Sequence, residues 1–97
     1  MWRGGDWDTR RSIPFSFLRP LAEIKGVTYH ILQRGQGLFE RAKDFGVLSG
    51  SDEILQLAQI IKALDLVISI DSMPAHLSGA LGQRVWTLLH ADPDWRW

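Results

Sequence analysis

The second half of the chain contains an amphipathic helix pattern followed directly by a short apolar run, and this pair restricts the possible folds most. The apolar residues of the helix recur at i, i+3, i+4, i+7 and i+10, so they share one face. They are Ile54, Leu57, Ala58, Ile61 and Leu64. The run 66–70 (LVISI) is typical of a strand buried on both faces of a parallel sheet. A helix that leads into such a strand predicts an α/β fold.

Further helix and strand patterns alternate along the whole chain. We expect a strand stub at 1–2, a helix at 12–25 interrupted by Pro20, a strand at 27–32, one or two helical turns at 38–44, a short strand at 45–48, a helix with Asp52 as its N-cap, a helix at 73–81 and a strand at 85–89. Strands that alternate with helices indicate a parallel sheet with right-handed crossovers. The expected architecture is therefore a Rossmann-like half with helices on both faces of the sheet.

Composition argues against several classes of function. The chain has 11 basic and 11 acidic residues and a formal net charge of zero, whereas a general nucleic-acid binder needs a basic excess. It has no cysteine, which excludes disulfides and thiolate metal sites, and its three histidines lack metal-ligand spacing. No signal-peptide pattern and no apolar stretch near the roughly 20 residues of a membrane span is present. We expect a cytoplasmic protein with no metal, no nucleic-acid partner and no membrane insertion.

The chemistry is expected where two loops meet at one edge of the sheet. Ligands of open α/β sheets bind at the carboxyl ends of the strands, near the change in strand order. There the loop beginning at Gly4 would face the loop 71–76. Ser72 would begin a helix whose free N–H groups favour an anion, and His76 could reach a phosphate oxygen. The alternative is a simple capped helix, with Ser72 as the N-cap and His76 merely exposed.

The same loop carries a resemblance to a known family. The run DSMPAHLSGALGQRVW at 71–86 closely resembles the donor-binding segment of heptosyltransferase-like enzymes, glycosyltransferase family nine. It is still more similar to a bacterial group in which this domain follows tetratricopeptide repeats. RRSIP at 10–14 and LQRG at 32–35 resemble weaker parts of the pattern, and DWRW at 94–97 resembles the ending in that group. The similarity spans essentially the whole chain.

The resemblance implies a set of residues that bind a nucleotide-diphosphate sugar. The expected donor-binding residues are Arg11, Asp71, Ser72, Met73 and His76, together with Gln33 from the loop after the strand at 27–32. A cation at Arg11, or at its neighbour Arg10, would balance the diphosphate as the leaving group gains charge. Two positions depart from the family pattern: Met73 stands where many members have glycine, and Arg84 where many have proline.

Gln33 and three other polar residues carry weaker predictions. Gln33 and Gln36 follow a strand and could touch the nucleotide or the sugar, although an ordinary polar loop is the alternative. We expect Glu40 on an exposed helical face and His30 packed within its strand.

The resemblance also implies a two-domain enzyme of the GT-B type that needs neither a bound metal nor a cofactor. This chain would be its C-terminal, donor-binding half: one partial domain over 1–97, truncated at both ends. The acceptor domain, with the general base, would lie before Met1, so no catalytic residue is expected here. The isolated chain is then expected to be inactive. It is also expected to form homo-oligomers or complete its sheet with another chain, because a cut central strand leaves unpaired edges.

A second hypothesis assigns no catalysis to the chain. In that case it is a Rossmann-like assembly module that oligomerises and binds no nucleotide. A dinucleotide-binding or response-regulator-like domain fits poorly, because no G-x-G-x-x-G follows a strand and no paired acidic cluster is present.

Overall fold

The computed structural model describes residues 1–4, 9–41 and 44–89, which form short helices and parallel strands. Within these ranges, 3₁₀ helices span Thr9–Arg11, Phe15–Glu23 and Gly35–Glu40. The strands are β1 (His30–Ile31), β2 (Val47–Leu48), β3 (Val67–Ile70) and β4 (Val85–Leu88), and the α-helices are α1 (Ile54–Ala63) and α2 (Met73–Ala80). Helices that alternate with parallel strands are compatible with the expected α/β class.

The strands form two parallel pairs. β1 pairs with β2, and β3 pairs with β4 over four residues, from Val67 opposite Val85 to Ile70 opposite Leu88. Parallel neighbours need a crossover connection, and α2 provides it between β3 and β4.

The amino-terminal residues lie beside β3 and reach toward β1. The nitrogen of Met1 donates a hydrogen bond to the Ile68 carbonyl at 3.0 Å, and the Ile70 amide donates to the Met1 carbonyl at 3.1 Å. These two bonds form a parallel bridge with Ser69 at its centre. On the other side, the Trp2 amide donates to the side-chain carbonyl of Gln33, just after β1, at 3.1 Å. The segment therefore lies between the two strand pairs.

Two clusters of buried side chains lie on opposite faces of the strands. The Leu57 cluster consists of Leu32, Leu57, Ile61 and Val67. The Trp2 cluster consists of Trp2, Phe15 and Ile31, with the Trp2 and Phe15 rings edge to face at a centroid distance of 5.0 Å. Ile31 and Leu32 are consecutive residues of one extended segment, so their side chains point to opposite faces. Both faces are therefore packed around β1.

Helix α1 follows the sequence pattern. It buries Leu57 and Ile61, four residues apart on one face, and each such side chain contributes about 1.5–3 kcal/mol. The end of the helix is fixed from a distance, because the Gln83 side-chain amide donates to the carbonyl of Ile61 at 2.8 Å and to that of Leu64. These bonds satisfy carbonyl groups that a helix leaves unpaired at its C-terminus.

The first half of the chain differs from the sequence prediction. The expected helix at 12–25 is a 3₁₀ helix over Phe15–Glu23, with Pro20 inside it. Proline has no N–H and cannot support the hydrogen-bond ladder of an α-helix interior, so the helix that Pro20 was expected to interrupt is shorter and of the 3₁₀ type. The turns expected at 38–44 begin earlier, in the 3₁₀ helix Gly35–Glu40, and residues 42 and 43 of that range lie outside the described residues.

Two further local predictions were wrong. The strand expected at 27–32 is reduced to His30–Ile31, because its pairing with β2 covers only these two residues. Asp52 does not cap α1, which is preceded by Glu53 and has no side-chain cap. The Asp52 carboxylate instead accepts two hydrogen bonds from Arg34, and this pairing lowers the pKa of Asp52.

The later elements agree closely with the sequence. The strands expected at 66–70 and 85–89 are β3 and β4, and the helix expected at 73–81 is α2. In the described ranges, no helix has the length and apolar character that crossing a membrane requires.

The position of the Met1 amine predicts a pH dependence of folding. Burial lowers the pKa of this amine from 8.0 to about 6. The unfolded chain then binds more protons than the folded chain between pH 6 and 8, so stability should rise with pH across this window. The expected gain is on the order of 2 kcal/mol in the free energy of unfolding. Urea denaturation at pH 6, 7 and 8 measures it.

Protein acetylated at the Met1 nitrogen is the control for this measurement, because it keeps the histidines and loses the titrating amine. The free energies of unfolding of the free and acetylated forms should differ most at pH 6 and least at pH 8. Parallel pH profiles for the free and acetylated forms would contradict the assignment.

Candidate functional site

The carboxyl ends of β3 and of the segment beginning at Met1 meet at one edge. Both run in the same direction, so Asp71, which follows β3, lies near Gly4. A Cβ atom added at Gly4 would lie 3.2 Å from the Arg11 Nη2 atom and 3.5 Å from the Ile70 Cδ1 atom. Glycine therefore allows the backbone to approach the arginine closely. The sequence prediction that these two loops face each other is consistent with this geometry.

Arg11 joins the two loops. It is half-buried at the end of the 3₁₀ helix Thr9–Arg11, and its Nη1 atom donates a hydrogen bond to the Asp71 carbonyl at 2.8 Å. The guanidinium group therefore lies between Gly4 and Asp71. A fixed cation at this edge favours an anionic ligand.

Asp71 and His76 form a side-chain pair across the start of α2. Asp71 is only 6% exposed, and its Oδ1 atom lies 3.1 Å from the Nε2 atom of the half-exposed His76. When Nε2 carries the ring proton, this contact is a hydrogen bond that fixes the orientation of the imidazole.

Ser72 occupies the N-cap position of α2 without capping it through its side chain. Its hydroxyl donates to the Ile70 carbonyl at 3.1 Å and lies 2.9 Å from the Ser69 hydroxyl, so it faces the interior. Its main-chain carbonyl accepts hydrogen bonds from the amides of Ala75 and His76. Ser72 is therefore the N-cap residue that the sequence alternative named, but its hydroxyl does not cap the helix and shapes the loop from inside.

Met73 is the first residue of α2 and lies at the surface. Its side chain is 49% exposed, whereas the two residues before it and Pro74 after it are buried. The side chain therefore stands where the loop meets solvent. The proline leaves one fewer N–H group in this first turn.

Gln33 is buried and holds the amino-terminal segment in place. Its side-chain carbonyl accepts hydrogen bonds from the amides of Trp2 at 3.1 Å and Arg3 at 3.0 Å. Its NH₂ group donates to the carbonyls of Arg3 at 3.1 Å and Arg34 at 3.2 Å. These four bonds use the full capacity of an amide side chain. The nucleotide contact expected for Gln33 stays a prediction, and the structure adds a positioning role.

Several contacts near the site were not found from the sequence. Glu40 is exposed at the end of a 3₁₀ helix, as expected, and it also accepts a hydrogen bond from the Trp2 indole at 3.2 Å and forms an ion pair with Arg3. The Ser12 hydroxyl accepts from the Gly4 amide at 3.0 Å. These partners are 8 to 38 residues apart, so no local pattern indicates them. His30 was expected to pack, but it is exposed and lies 2.9 Å from the Ser49 hydroxyl.

The predicted site residues divide into two groups. Arg11, Asp71, Ser72, Met73 and His76 meet at the edge just described. Gln33 lies behind them and contacts the backbone of the Arg3 segment. Among residues 1–4, 9–41 and 44–89, no cluster of acidic residues and histidines suits a metal ion. His90 and the DWRW ending lie outside the described residues.

The bonds of Gln33 predict a large loss of stability when the amide is removed. Gln33→Leu should lower the free energy of unfolding by about 2–3 kcal/mol, because it leaves buried backbone N–H groups without acceptors. Chemical denaturation measures the change. Gln59→Leu, on the exposed face of α1, is the matched control and should stay within about 0.5 kcal/mol of the parent. Equal effects of the two substitutions would overturn the assigned role of Gln33.

Comparison with known proteins identifies the family. Residues 30–96 match the model of glycosyltransferase family 9 (heptosyltransferase). The matched region includes Gln33 and the whole Asp71–His76 loop, and it leaves out Arg11 and Gly4. Searches of curated proteins and of solved structures found no match to the chain.

Proposed function

We propose a specific function from one premise: the chain belongs to glycosyltransferase family 9. Its family membership indicates a glycosyltransferase-like function. We propose further that it is the donor-binding, C-terminal domain of a metal-independent GT-B enzyme, in the group associated with tetratricopeptide repeats. Its ligand is a nucleotide-diphosphate sugar, and it uses no cofactor.

A Rossmann-like strand order supports the GT-B part of this proposal. With Met1 and Trp2 as the stub of a central strand, the order across the molecule is β2, β1, stub, β3, β4. The order then reverses between the stub and β3, which is where open α/β sheets bind their ligands. The loops starting at Gly4 and Asp71 flank that point.

One observation carries the donor-binding proposal: the Arg11 guanidinium and the Asp71–His76 pair share the edge at which α2 begins. Arg11 is tied to the Asp71 carbonyl, and His76 is oriented by the Asp71 carboxylate. A diphosphate placed there would meet one fixed cation, one imidazole and the positive end of a helix dipole. All three interactions strengthen as the departing nucleoside diphosphate gains negative charge, which is how they would lower the barrier to sugar transfer.

The remaining predicted residues have supporting roles in this proposal. Ser72 holds the loop through its inward hydroxyl, and Met73 lines the mouth of the site. Gln33 fixes the backbone of Arg3, and thereby the approach of Gly4 to the diphosphate. The base that activates the acceptor would come from a separate acceptor-binding domain. We therefore propose that the 97-residue chain binds donor without transferring sugar.

Nucleoside diphosphates test the proposal directly. One member of a panel of uridine, guanosine and adenosine diphosphates should raise the Tm of the chain by several degrees at a concentration far above its Kd. His76→Ala should reduce that shift severalfold, because the ring no longer meets the phosphate. His30→Ala removes an exposed histidine of β1, whose ring contacts Ser49, and should leave the shift unchanged.

Two results would contradict donor binding. One is the absence of stabilisation by every nucleotide in the panel. The other is an equal loss of the Tm shift in both histidine variants.

A second candidate is the assembly module without nucleotide binding. It is favoured by the exposed apolar side chains of β4, where Trp86 is 63% and Leu88 37% exposed. Apolar groups of this size at a strand surface are typical of protein contacts. Sedimentation analysis with and without nucleotide separates the two: the module would form oligomers whose distribution does not respond to nucleotide.

A further inference from the structure

The start of α2 presents one apolar side chain to solvent. Within residues 71–75, Met73 is 49% exposed, whereas the two residues before it and the two after it are buried. The hydroxyl of Ser72 faces inward and donates to the Ile70 carbonyl. Of the side chains in this run, that of Met73 is therefore the one that a ligand at the surface can contact.

The main chain of Met73 faces the same ligand. The amides of Ala75 and His76 donate to the Ser72 carbonyl at 3.0 and 3.2 Å, and Pro74 has no N–H. The first-turn amide that these bonds leave to an anion is that of Met73 itself. An anion bound there would place the Met73 side chain beside whatever group is joined to that anion.

The chemistry of transfer identifies this group as the sugar, a step that rests on the proposed donor-binding function. The acceptor oxygen bonds to the sugar carbon C1 and loses its proton to the base of the acceptor-binding domain. The bond from C1 to the β-phosphate oxygen breaks, and its electron pair stays on that oxygen.

The β-phosphate is thus the phosphate that gains negative charge. Arg11, the Asp71–His76 pair and the start of α2 assist transfer most when they lie beside it. The sugar is joined to the same phosphate through a single oxygen atom. It is therefore the part of the donor that lies against the Met73 side chain.

A methionine side chain discriminates between hydroxyl and methyl groups. Its sulfur is a weak hydrogen-bond acceptor, and the side chain has no donor. A sugar hydroxyl held against it loses hydrogen bonds to water and gains none, which disfavours binding. A methyl group in the same place removes apolar surface from water on both partners, and the flexible thioether can adapt to its shape.

We infer that Met73 selects a donor whose sugar is a 6-deoxyhexose, with the exocyclic methyl group against the methionine side chain. Among hexoses, the exocyclic carbon C6 is the position at which a methyl group can replace a hydroxymethyl group. A heptose carries two hydroxylated exocyclic carbons, so this contact disfavours it further. Many members of the family have glycine at this position, which leaves no side chain to make the selection.

Pairs of donors that differ by one oxygen atom test the inference. They are the glucose and 6-deoxyglucose esters of uridine and adenosine diphosphate, and the mannose and 6-deoxymannose esters of guanosine diphosphate. Each is titrated calorimetrically into the chain, with the free diphosphate as its reference. In the pair whose free diphosphate binds most tightly, the 6-deoxy donor should bind about five- to tenfold more tightly than its hydroxylated partner.

Two substitutions at the exposed Met73 provide matched variants. Met73→Gln keeps the length of the side chain but adds an amide that can bond to a hydroxyl, so it should erase or reverse the preference. Met73→Leu stays apolar and should keep the preference within about twofold. Both variants retain the main-chain N–H and should bind the free diphosphate within about twofold of the parent chain.

The outcomes separate this inference from the proposed function. Equal affinities for the two sugars in the parent chain, or an unchanged preference in Met73→Gln, would overturn the inference and leave donor binding in place. A failure of every free diphosphate to bind the parent chain would instead overturn the proposed function, and this inference with it.

Discussion

The position of the Met1–Gly4 backbone between β1 and β3 is the constraint on which the rest of the structure depends. Two main-chain hydrogen bonds tie it to β3, and the Gln33 amide ties it to the end of β1. Each tie joins residues at least 30 positions apart, and together they bridge two strand pairs that otherwise form separate sheets. One buried amide thus substitutes for a ladder of strand hydrogen bonds.

The candidate site follows from that alignment. Because the Met1–Gly4 segment and β3 run in parallel, their carboxyl ends bring Gly4 next to Asp71, and Arg11 spans the space between them. A chain that belongs to glycosyltransferase family 9 thereby has a cation, an imidazole and a helix start at a single edge.

The sequence predicted the structure well where local periodicity decided it. The 3.6-residue period fixed α1, and the apolar runs fixed β3 and β4. The sequence-based prediction failed where contacts between residues far apart in the chain determine the structure. Gln33 is an example: its polar character suggested an ordinary loop residue, but its side chain is bonded to backbone groups of distant residues. The strand expected at 27–32 failed for a related reason: its propensity is local, whereas its pairing with β2, which lies 17 residues further along the chain, covers only His30 and Ile31. For the site, the sequence motif identified residues that lie together in the structure. It did not predict that the Ser72 hydroxyl faces the interior.

An NMR titration of ¹⁵N-labelled chain with inorganic pyrophosphate tests the central claim most directly, because the diphosphate is common to every sugar nucleotide. The account predicts saturable shifts concentrated in the amides of Gly4, Met73, Ala75 and His76, with those of α1 unchanged. Shifts spread over exposed basic residues such as Arg34, or no saturable shift in the 71–76 loop, would contradict it.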